Sequence, residues 1–409
     1  MRETRRSASA THVSGSVNEV LRRPLTAALT LVAVTSAALV VTTASVALRI
    51  ARNVVTPPRR RIDDVVVRAV DLDAGTVVLS RTADTIVPGR YSLWFDSGRG
   101  HARITEIIAV DESSVTRRVH SVQRGDLTRA TRARWAGWWH LTPSDLELGF
   151  SEVGIMTPIG VAPAWRIDAA DTTDDWVIQV HGRAVTRAEG LRAVPVFRRA
   201  GFTSLLISYR NDGDAPASLD GRYALGADEW VDVESAIAYA VEQGARRVVL
   251  MGWSMGGAIV LQCITRSSLA HVVTAVVLES PVVDWVRVLR FQAAAAGLPA
   301  PVRDAALGML ASHRAARWVG HTAPVDFARL DLVARAAELQ VPMLVLHSID
   351  DGFVPSDGSV ALAAARPDVV TLEHFTVARH TKLWNYDPSR WEGAVSSWLD
   401  SLETRQRPN

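Results

Sequence analysis

Short apolar runs alternate with helix-like segments along the second half of the chain. The runs predict strands at residues 176–180, 204–209, 248–251, 272–278, 343–346 and 369–375. The helical segment after the second run places Trp230, Val233, Ile237 and Val241 on one stripe. Two earlier runs, at 152–156 and 164–167, are typical of a hairpin that opens the fold. Alternation of this kind predicts a parallel sheet with right-handed crossovers, in which chemistry lies at the carboxyl ends of the strands.

A different pattern precedes this region. Between residues 62 and 134, β-type runs at 65–67, 76–79, 91–95 and 103–108 are separated by turns that carry Asp, Gly and Pro. The sequence therefore predicts a small β-rich module over residues 62–141. No catalytic constellation is found in it. The aromatic segment 135–140 at its end predicts packing at a domain junction, with contact to a membrane interface as the alternative.

The longest uncharged stretch lies near the N-terminus, at residues 25–48. A helix needs about 20 apolar residues to cross a bilayer, so we expect a transmembrane helix or signal anchor between a basic tail (1–24) and a linker (49–61). Residues 44–47 (Ala-Ser-Val-Ala) also fit a signal-peptidase site, which leaves secretion after cleavage as an alternative. Arginines flank both ends, so the side of the cell membrane on which the catalytic domain lies stays open, with the extracytoplasmic side preferred.

Composition and charge exclude several classes of function. The chain has 409 residues, of which 48% are hydrophobic and 22% charged, as in globular proteins. The 45 basic and 43 acidic residues nearly balance, so nucleic acid is not an expected partner. Cys263 is the single cysteine, which excludes a disulfide within the chain and a cysteine-based metal site.

A serine between a predicted strand and a predicted helix is the strongest chemical signal. Gly252-Trp253-Ser254-Met255-Gly256 follows the apolar run at 248–251 and precedes a helical segment. In such a nucleophile elbow the serine hydroxyl stands above the sheet, and small residues allow the tight turn. The sequence therefore predicts Ser254 as a nucleophile.

Two backbone donors are predicted near that serine. The segment Val-His-Gly-Arg at 180–183 ends the first strand of the alternating set. A turn there can aim the N–H of Arg183 at the space above Ser254, where the N–H of Met255 would complete an oxyanion hole. The side chain of Arg183 could bind a substrate carboxylate or face solvent.

An acid and a base follow at the ends of later strands. Asp351 is the preferred acid, with Asp350 as a turn residue and Asp284 as a third candidate. His380, in the loop after the last strand, can take the proton of Ser254 and return it to a leaving group. The order of nucleophile, acid and base along the chain is that of one known fold type.

Residues 142–402 resemble the α/β-hydrolase superfamily and, within it, membrane-anchored hydrolases similar to serine aminopeptidases. The resemblance rests on five motifs: Val-His-Gly-Arg at 180–183, Ser-Tyr-Arg-Asn at 208–211, Gly-Trp-Ser-Met-Gly-Gly at 252–257, Asp-Gly-Phe-Val-Pro at 351–355 and the loop of His380. It implies a mostly parallel, doubly wound sheet with a short helical lid at about 285–330 and a tail at 403–409. It also implies Ser254, Asp351 and His380 as catalytic residues and Arg183 and Met255 as oxyanion donors. Ala184 departs from the glycine-rich continuation of lipase-type members.

The function predicted from these residues is hydrolysis of an ester, thioester or amide through an acyl-enzyme on Ser254, with esters preferred over peptides. The substrate would be a small acyl or peptide-like molecule, and no metal or organic cofactor is implied. A serine peptidase, an acyltransferase with the same triad and a catalytically silent, membrane-tethered binding protein remain alternatives. The oligomeric state stays open.

Overall fold

A computed structural model describes residues 38–58 and 61–406 of the chain. The described part begins with helix α1 (Ala38–Val55), which by length and composition could cross a membrane. Residues 25–37 of the predicted span lie outside the described residues. Residues 49–55, assigned to a linker from the sequence, instead continue α1, because Ala51 and Val55 pack into the core of the larger domain.

The β-rich module forms a closed antiparallel barrel, which confirms that a small β domain precedes the larger one. Its strand order is β1-β2-β5-β4-β3-β6. The strands are β1 (Val65–Asp71), β2 (Thr76–Ser80), β3 (Tyr91–Phe95), β4 (Gly100–Val110), β5 (Ser114–Arg124) and β6 (Arg132–Ala136). The predicted runs missed β5 and β6, whose arginines hide the apolar alternation. One of these, Arg117, is buried inside the barrel and donates to three backbone carbonyls.

The larger domain is built on a sheet that, within the described residues, has eight strands in the order β14-β13-β12-β11-β9-β10-β8-β7. The hairpin β7–β8 is antiparallel and β9 to β14 are parallel, which confirms the predicted fold class. The strands are β7 (Ser151–Thr157), β8 (Gly160–Ile167), β9 (Asp175–Val180), β10 (Thr203–Ile207), β11 (Arg247–Trp253), β12 (Val273–Glu279), β13 (Met343–Ser348) and β14 (Val370–Phe375).

Helices pack on both faces of this sheet, and their apolar residues form the two largest core clusters. Strands covered on both faces need continuous apolar runs, which explains the pattern in the sequence. The helices are α2 (Val194–Arg199), α3 (Trp230–Glu242), α4 (Met255–Arg266), α5 (Trp285–Ala295), α6 (Ala300–Leu310), α7 (His313–Val319), α8 (Asp357–Ala365), α9 (Leu383–Tyr386) and α10 (Pro388–Gln406).

Two details of the helices differ from the sequence prediction. Helix α10 continues to Gln406, into the segment predicted as a tail. On α3, Val241 is 38% exposed, whereas the smaller Ala236 and Ala240 are fully buried. The stripe is therefore rotated, because α3 packs closely on the sheet and small side chains permit that approach.

Helices α5, α6 and α7 lie between β12 and β13, in the segment predicted as a lid. The aromatic segment after β6 joins the two domains: Trp135 packs in the barrel core, whereas Trp139 packs in a core cluster of the larger domain. The barrel also contacts α9, which follows the loop of His380. The fold thus places both the barrel and the lid beside the carboxyl ends of the parallel strands.

Candidate active site

Ser254 lies between β11 and α4 in a strained backbone conformation, with φ 52° and ψ −115°. The glycines around it make room for the turn. A Cβ on Gly256 would lie 2.1 Å from the carbonyl oxygen of Val180, and one on Gly252 would lie 2.7 Å from the backbone of Gly256. Such strain persists only where the surroundings hold it, and here it presents the hydroxyl at the end of the strand.

The structure brings three sequence-predicted side chains into one hydrogen-bonded line. Nε2 of His380 lies 3.0 Å from Oγ of Ser254, and Nδ1 lies 2.7 Å from Oδ2 of Asp351. In the tautomer that satisfies both contacts, Nδ1–H donates to the carboxylate and Nε2 accepts from the hydroxyl. These residues come from the carboxyl ends of β11, β13 and β14, which are distant in sequence but lie within four consecutive positions of the sheet, with β12 between β11 and β13.

Asp351 is fixed from several directions. Its Oδ1 accepts hydrogen bonds of 2.9 Å from the backbone N–H groups of Phe353 and Val354, and its Oδ2 lies 3.2 Å from Nε2 of His347. Burial alone would raise the pKa of Asp351, but the imidazoles of His380 and His347 outweigh it and hold the pKa well below its usual value. The carboxylate therefore stays ionised opposite His380. The contact with His347 was not predicted from the sequence.

The two other candidate acids lie elsewhere. Oδ1 of Asp350 accepts from the backbone N–H of Arg379 (2.9 Å) and from the Ser348 hydroxyl (2.6 Å), so it holds the loop that carries His380. Asp284 caps the N-terminus of α5 by accepting from the N–H of Arg287. Neither carboxylate makes a hydrogen bond to the His380 ring within the described part of the chain.

The loop of His380 is held in an uncommon conformation. Its neighbours Arg379 and Thr381 have φ values of 62° and 48°. The carbonyl oxygen of Thr381 accepts from Nη1 of the buried Arg192 (2.8 Å), and its N–H donates to Oγ of Ser280 (3.2 Å). These hydrogen bonds fix the imidazole of His380 between Ser254 and the carboxylate of Asp351.

The turn after β9 packs directly on the nucleophile elbow. A Cβ on Gly182 would lie 3.4 Å from Cβ of Ser254, and Arg183 lines the same cavity as Ser254. The N–H of Gly182 donates to Oε2 of the buried Glu189 (2.7 Å), which fixes the turn. Met255 is the first residue of α4, where a backbone N–H has no partner within the helix.

A buried pair supports this turn from below. Nε2 of His181 lies 3.1 Å from Oδ2 of Asp212, and its ring stacks on Tyr209 with centroids 4.3 Å apart. Burial would raise the pKa of Asp212, but the bond to His181 and backbone N–H groups lower it. Asp212 and Glu189 were missed in the sequence. Asp212 directly follows the Ser-Tyr-Arg-Asn motif, which was a usable signal; nothing in the sequence marks Glu189.

The side chain of Arg183 takes neither role considered for it from the sequence. Its guanidinium donates to the carbonyl oxygens of Asn53 (2.8 Å), Val54 (3.2 Å) and Thr56 (3.0 Å) at the C-terminal end of α1. The last carbonyl groups of a helix accept no hydrogen bond from within the helix. A positive charge is also stabilised beside them, because the C-terminal end of the helix dipole is negative. Burial lowers the pKa of Arg183. One residue thus joins the turn beside Ser254 to the N-terminal helix.

A cavity of about 270 Å³ opens above Ser254. Its wall is formed partly by the lid helix α5 and partly by α1, so the N-terminal helix contributes to the site itself. The lining residues are Ile50, Asn53 and Val54 of α1, Arg183, Ser254 and Val282, Trp285, Val288, Leu289 and Gln292 on or before α5, and Phe353.

Comparisons with known proteins agree with this architecture. A sequence model described as "Alpha/beta hydrolase family" matches residues 177–394, and a "Domain of unknown function (DUF8805)" matches residues 66–136, which span the barrel. None of the curated proteins searched gives a match. An esterase of Pyrococcus furiosus superposes with a TM-score of 0.50 at 18% identity, covering 64% of this chain and 94% of the esterase.

An esterase from a Rhodococcus species superposes with a TM-score of 0.43 at 19% identity, covering 62% of this chain and 99% of its own. Identities this low compare folds only. The superposition on the Pyrococcus protein supports the same sheet architecture in this chain.

Proposed function

The chain belongs to the alpha/beta hydrolase family, and we propose that it is a serine hydrolase that cleaves carboxylic esters through an acyl-enzyme on Ser254. The observation that carries the proposal is the line from Ser254 Oγ to His380 Nε2 and from His380 Nδ1 to Asp351. Three side chains in this geometry can transfer a proton and stabilise the charge that the transfer creates.

In the proposed mechanism, Oγ of Ser254 attacks the ester carbonyl while Nε2 of His380 accepts its proton. The ionised Asp351 stabilises the imidazolium, and the N–H groups of Met255 and Arg183 bind the oxyanion. The imidazolium then protonates the departing alcohol. In the second half, a water molecule gives a proton to Nε2 of His380 and attacks the acyl carbonyl. The imidazolium then returns that proton to Oγ of Ser254 as the bond between Oγ and the acyl carbon breaks and the acid leaves.

The lining of the cavity supports an ester over a peptide. An aminopeptidase would use a carboxylate to bind the α-amino group of its substrate. The residues that line the cavity above Ser254 in the described structure are mostly apolar, and Arg183 is the charged one among them. Its guanidinium is already engaged by α1.

We further propose that the uncharged segment 25–48, whose last eleven residues form the start of α1, anchors the enzyme as a single-pass membrane helix. The support is its apolar composition and the exposed Leu39, Val40 and Val41 at its described start. Fractionation of cells expressing the full chain tests this: we expect the protein to stay with membranes after alkaline carbonate washing. A soluble product that begins after Ala47 would instead favour secretion.

Labelling with a fluorophosphonate probe tests the nucleophile. We expect the full-length protein and a Ser396→Ala control on α10 to be labelled and to hydrolyse p-nitrophenyl acetate. A Ser254→Ala variant should lose both properties, with activity falling by at least about 1,000-fold. Equal labelling of Ser254→Ala would overturn the assignment, and faster cleavage of aminoacyl amides than of esters would overturn the ester preference.

A further inference from the structure

A second cavity continues from the one above Ser254. It has a volume of about 180 Å³, and it shares four lining residues with the first: Ile50, Val54, Leu289 and Gln292. The two cavities therefore adjoin at a wall that α1 and the lid helix α5 share, and the second lies farther from the candidate nucleophile. We refer to the second cavity as the distal groove.

The distal groove is mostly apolar, since eight of its ten lining residues are apolar and the other two are Gln292 and Arg303. Beyond the four shared residues it is lined by Ala293, Leu298, Arg303, Ala306, Leu307 and Leu310 of the lid. Arg303 is paired with its neighbour Asp304 through two hydrogen bonds, so its charge is already balanced. A channel of alkyl side chains excludes polar substrate groups and favours a hydrocarbon chain, because each buried methylene group adds to binding.

The surface around the groove suits contact with a bilayer. Helix α1 forms one wall and leads back toward the exposed Leu39. The lid segment 285–320 contains five arginines, of which Arg287 and Arg303 pair with aspartates. The other three, at positions 290, 314 and 317, are exposed and make no ion pair within the described part of the chain, which favours anionic headgroups. Trp318 is exposed on α7, and its carbonyl oxygen accepts from Nε of Arg52 on α1 (2.7 Å). Exposed Trp beside Arg is typical of a membrane interface.

We propose that this groove binds the acyl chain of a membrane-lipid ester and delivers its carbonyl to Ser254 from the bilayer. The inference rests on the proposed esterase function and adds its substrate class. The acyl–oxygen bond of the lipid breaks, the acyl group passes to Oγ of Ser254 and the proton of Ser254 reaches the lipid alcohol through His380. Water then releases a long-chain fatty acid.

Chain-length preference tests the groove. With the full chain in detergent, we expect kcat/KM for p-nitrophenyl octanoate to exceed that for the acetate by at least about 100-fold, because six more methylene groups enter an apolar groove. An Ala293→Trp variant should fill the distal groove and lower the octanoate-to-acetate ratio of kcat/KM at least tenfold.

The matched control is Ala294→Trp, one residue along the same helix but exposed to solvent, which should keep the parent ratio. Ala293 is buried, so the variant risks misfolding. Leu307→Trp, on the half-buried opposite wall, is a second probe for which retained acetate hydrolysis reports folding. The proposal is overturned if the parent shows no preference for octanoate, or if the plugged variants keep the parent ratio.

Delivery from the bilayer has its own test. The full chain is reconstituted into vesicles of phosphatidylcholine that contain dioleoylglycerol. Protein-free vesicles of the same lipid composition are then added, and the rates of fatty-acid release from the two kinds of vesicle are compared. We expect at least tenfold faster release from the vesicles that carry the protein. Equal rates of fatty-acid release from the two kinds of vesicle would contradict delivery of the substrate from the bilayer. Loss of fluorophosphonate labelling and of acetate hydrolysis would instead mark failure of the esterase function, independently of chain length.

Discussion

Arg183 and Asn53 are 130 positions apart in the sequence, yet Nη2 of Arg183 donates a 2.8 Å hydrogen bond to the carbonyl oxygen of Asn53. The same side chain also bonds the carbonyls of Val54 and Thr56. The backbone N–H of Arg183 is one of the two proposed oxyanion donors. The end of the N-terminal helix and the turn above Ser254 are therefore mechanically coupled through a single residue.

An Arg183→Ala variant should show this coupling. Without the guanidinium, the last carbonyls of α1 lose their donor and the turn loses its brace, so we expect kcat for the acetate ester to fall about tenfold, equivalent to about 1.4 kcal/mol in the barrier. Hydrogen exchange at residues 50–56 should become faster. Arg52→Ala, which removes a more exposed arginine on the same helix, should change activity less than twofold. Slower turnover with unchanged exchange would indicate that Arg183 acts on the substrate directly.

Replacing Asp351 tests the proposed acid. In Asp351→Asn we expect kcat to fall about 1,000- to 10,000-fold, because an amide cannot hold the imidazole in the required tautomer or stabilise its charge. His347→Gln removes only one of several contacts to Asp351, so its loss should stay below about tenfold. Initial rates with the acetate ester measure both. A larger fall in kcat in the His347 variant than in the Asp351 variant would contradict the assignment of Asp351 as the acid.

The interface between the barrel and α9 should also affect catalysis. Nδ2 of the buried Asn385 donates to the carbonyl oxygens of Arg90 (2.8 Å) and Gly137 (2.9 Å) on the barrel side. In Asn385→Asp, a carboxylate would face two carbonyls, so we expect at least a tenfold fall in kcat and a loss of about 2–5 kcal/mol in the free energy of unfolding. The fall in kcat follows because α9 continues the loop of His380, and the loss of stability follows from the unfavourable buried charge.

Two further variants make that prediction specific. Gly89→Ala, from the barrel side, would place a Cβ 2.2 Å from the carbonyl oxygen of Asn385 and should reproduce the kinetic defect. Lys382→Met breaks the partly buried ion pair with Asp84 but leaves the contact of Asp84 with Arg379, so it should change kcat less than threefold. If the Gly89 variant retains full activity, the barrel does not brace the loop.

The buried Glu229 should make stability depend on pH. Burial raises its pKa from the ordinary 4.5 to about 7, although the N–H groups of Ala224 and Gly226 donate to its carboxylate. A raised folded-state pKa means that its contribution is present below pH 4.5 and is lost as the pH rises through 7. The change in pKa from 4.5 to about 7 corresponds to about 3 kcal/mol in the free energy of unfolding.

The measurement compares Tm of the parent and of Glu229→Gln across the range from pH 4.5 to 8. We expect Tm of the parent to fall relative to that of the variant as the pH rises, because the amide does not titrate. A difference in Tm that is constant across this range would show that the two backbone bonds offset burial and that the pKa is not raised.

The parallel sheet and the positions of Ser254, Asp351 and His380 could be anticipated because each leaves a local signal. Buried parallel strands need uninterrupted apolar runs, and chemistry-bearing residues follow them at the same edge of the sheet. The glycines of the elbow are readable since the close approach to Val180 permits no side chain. Patterns of this kind depend only on near neighbours in the sequence.

The support around the site could not be anticipated, because it depends on contacts between distant residues. Nothing near Glu189 indicates that it accepts from Gly182, and nothing near Arg183 indicates that it reaches α1. Helix α1 is itself instructive. Its apolar composition suits both a bilayer and a protein core, and only the docked structure shows that Ala51 and Val55 belong to the core.

The docking of α1 fixes more than a point of attachment. Ala47, Ala51 and Val55 are fully buried, and the helix runs without a break from Ala38 to Val55. In the proposed membrane-anchored state, a rigid helix of this kind would set the distance and the orientation of the larger domain relative to the lipid headgroups. Each helical residue advances the chain by about 1.5 Å and turns it by about 100°. Inserting a single alanine before Ala47 would therefore rotate the groove about the helix axis by about 100° relative to the proposed membrane segment.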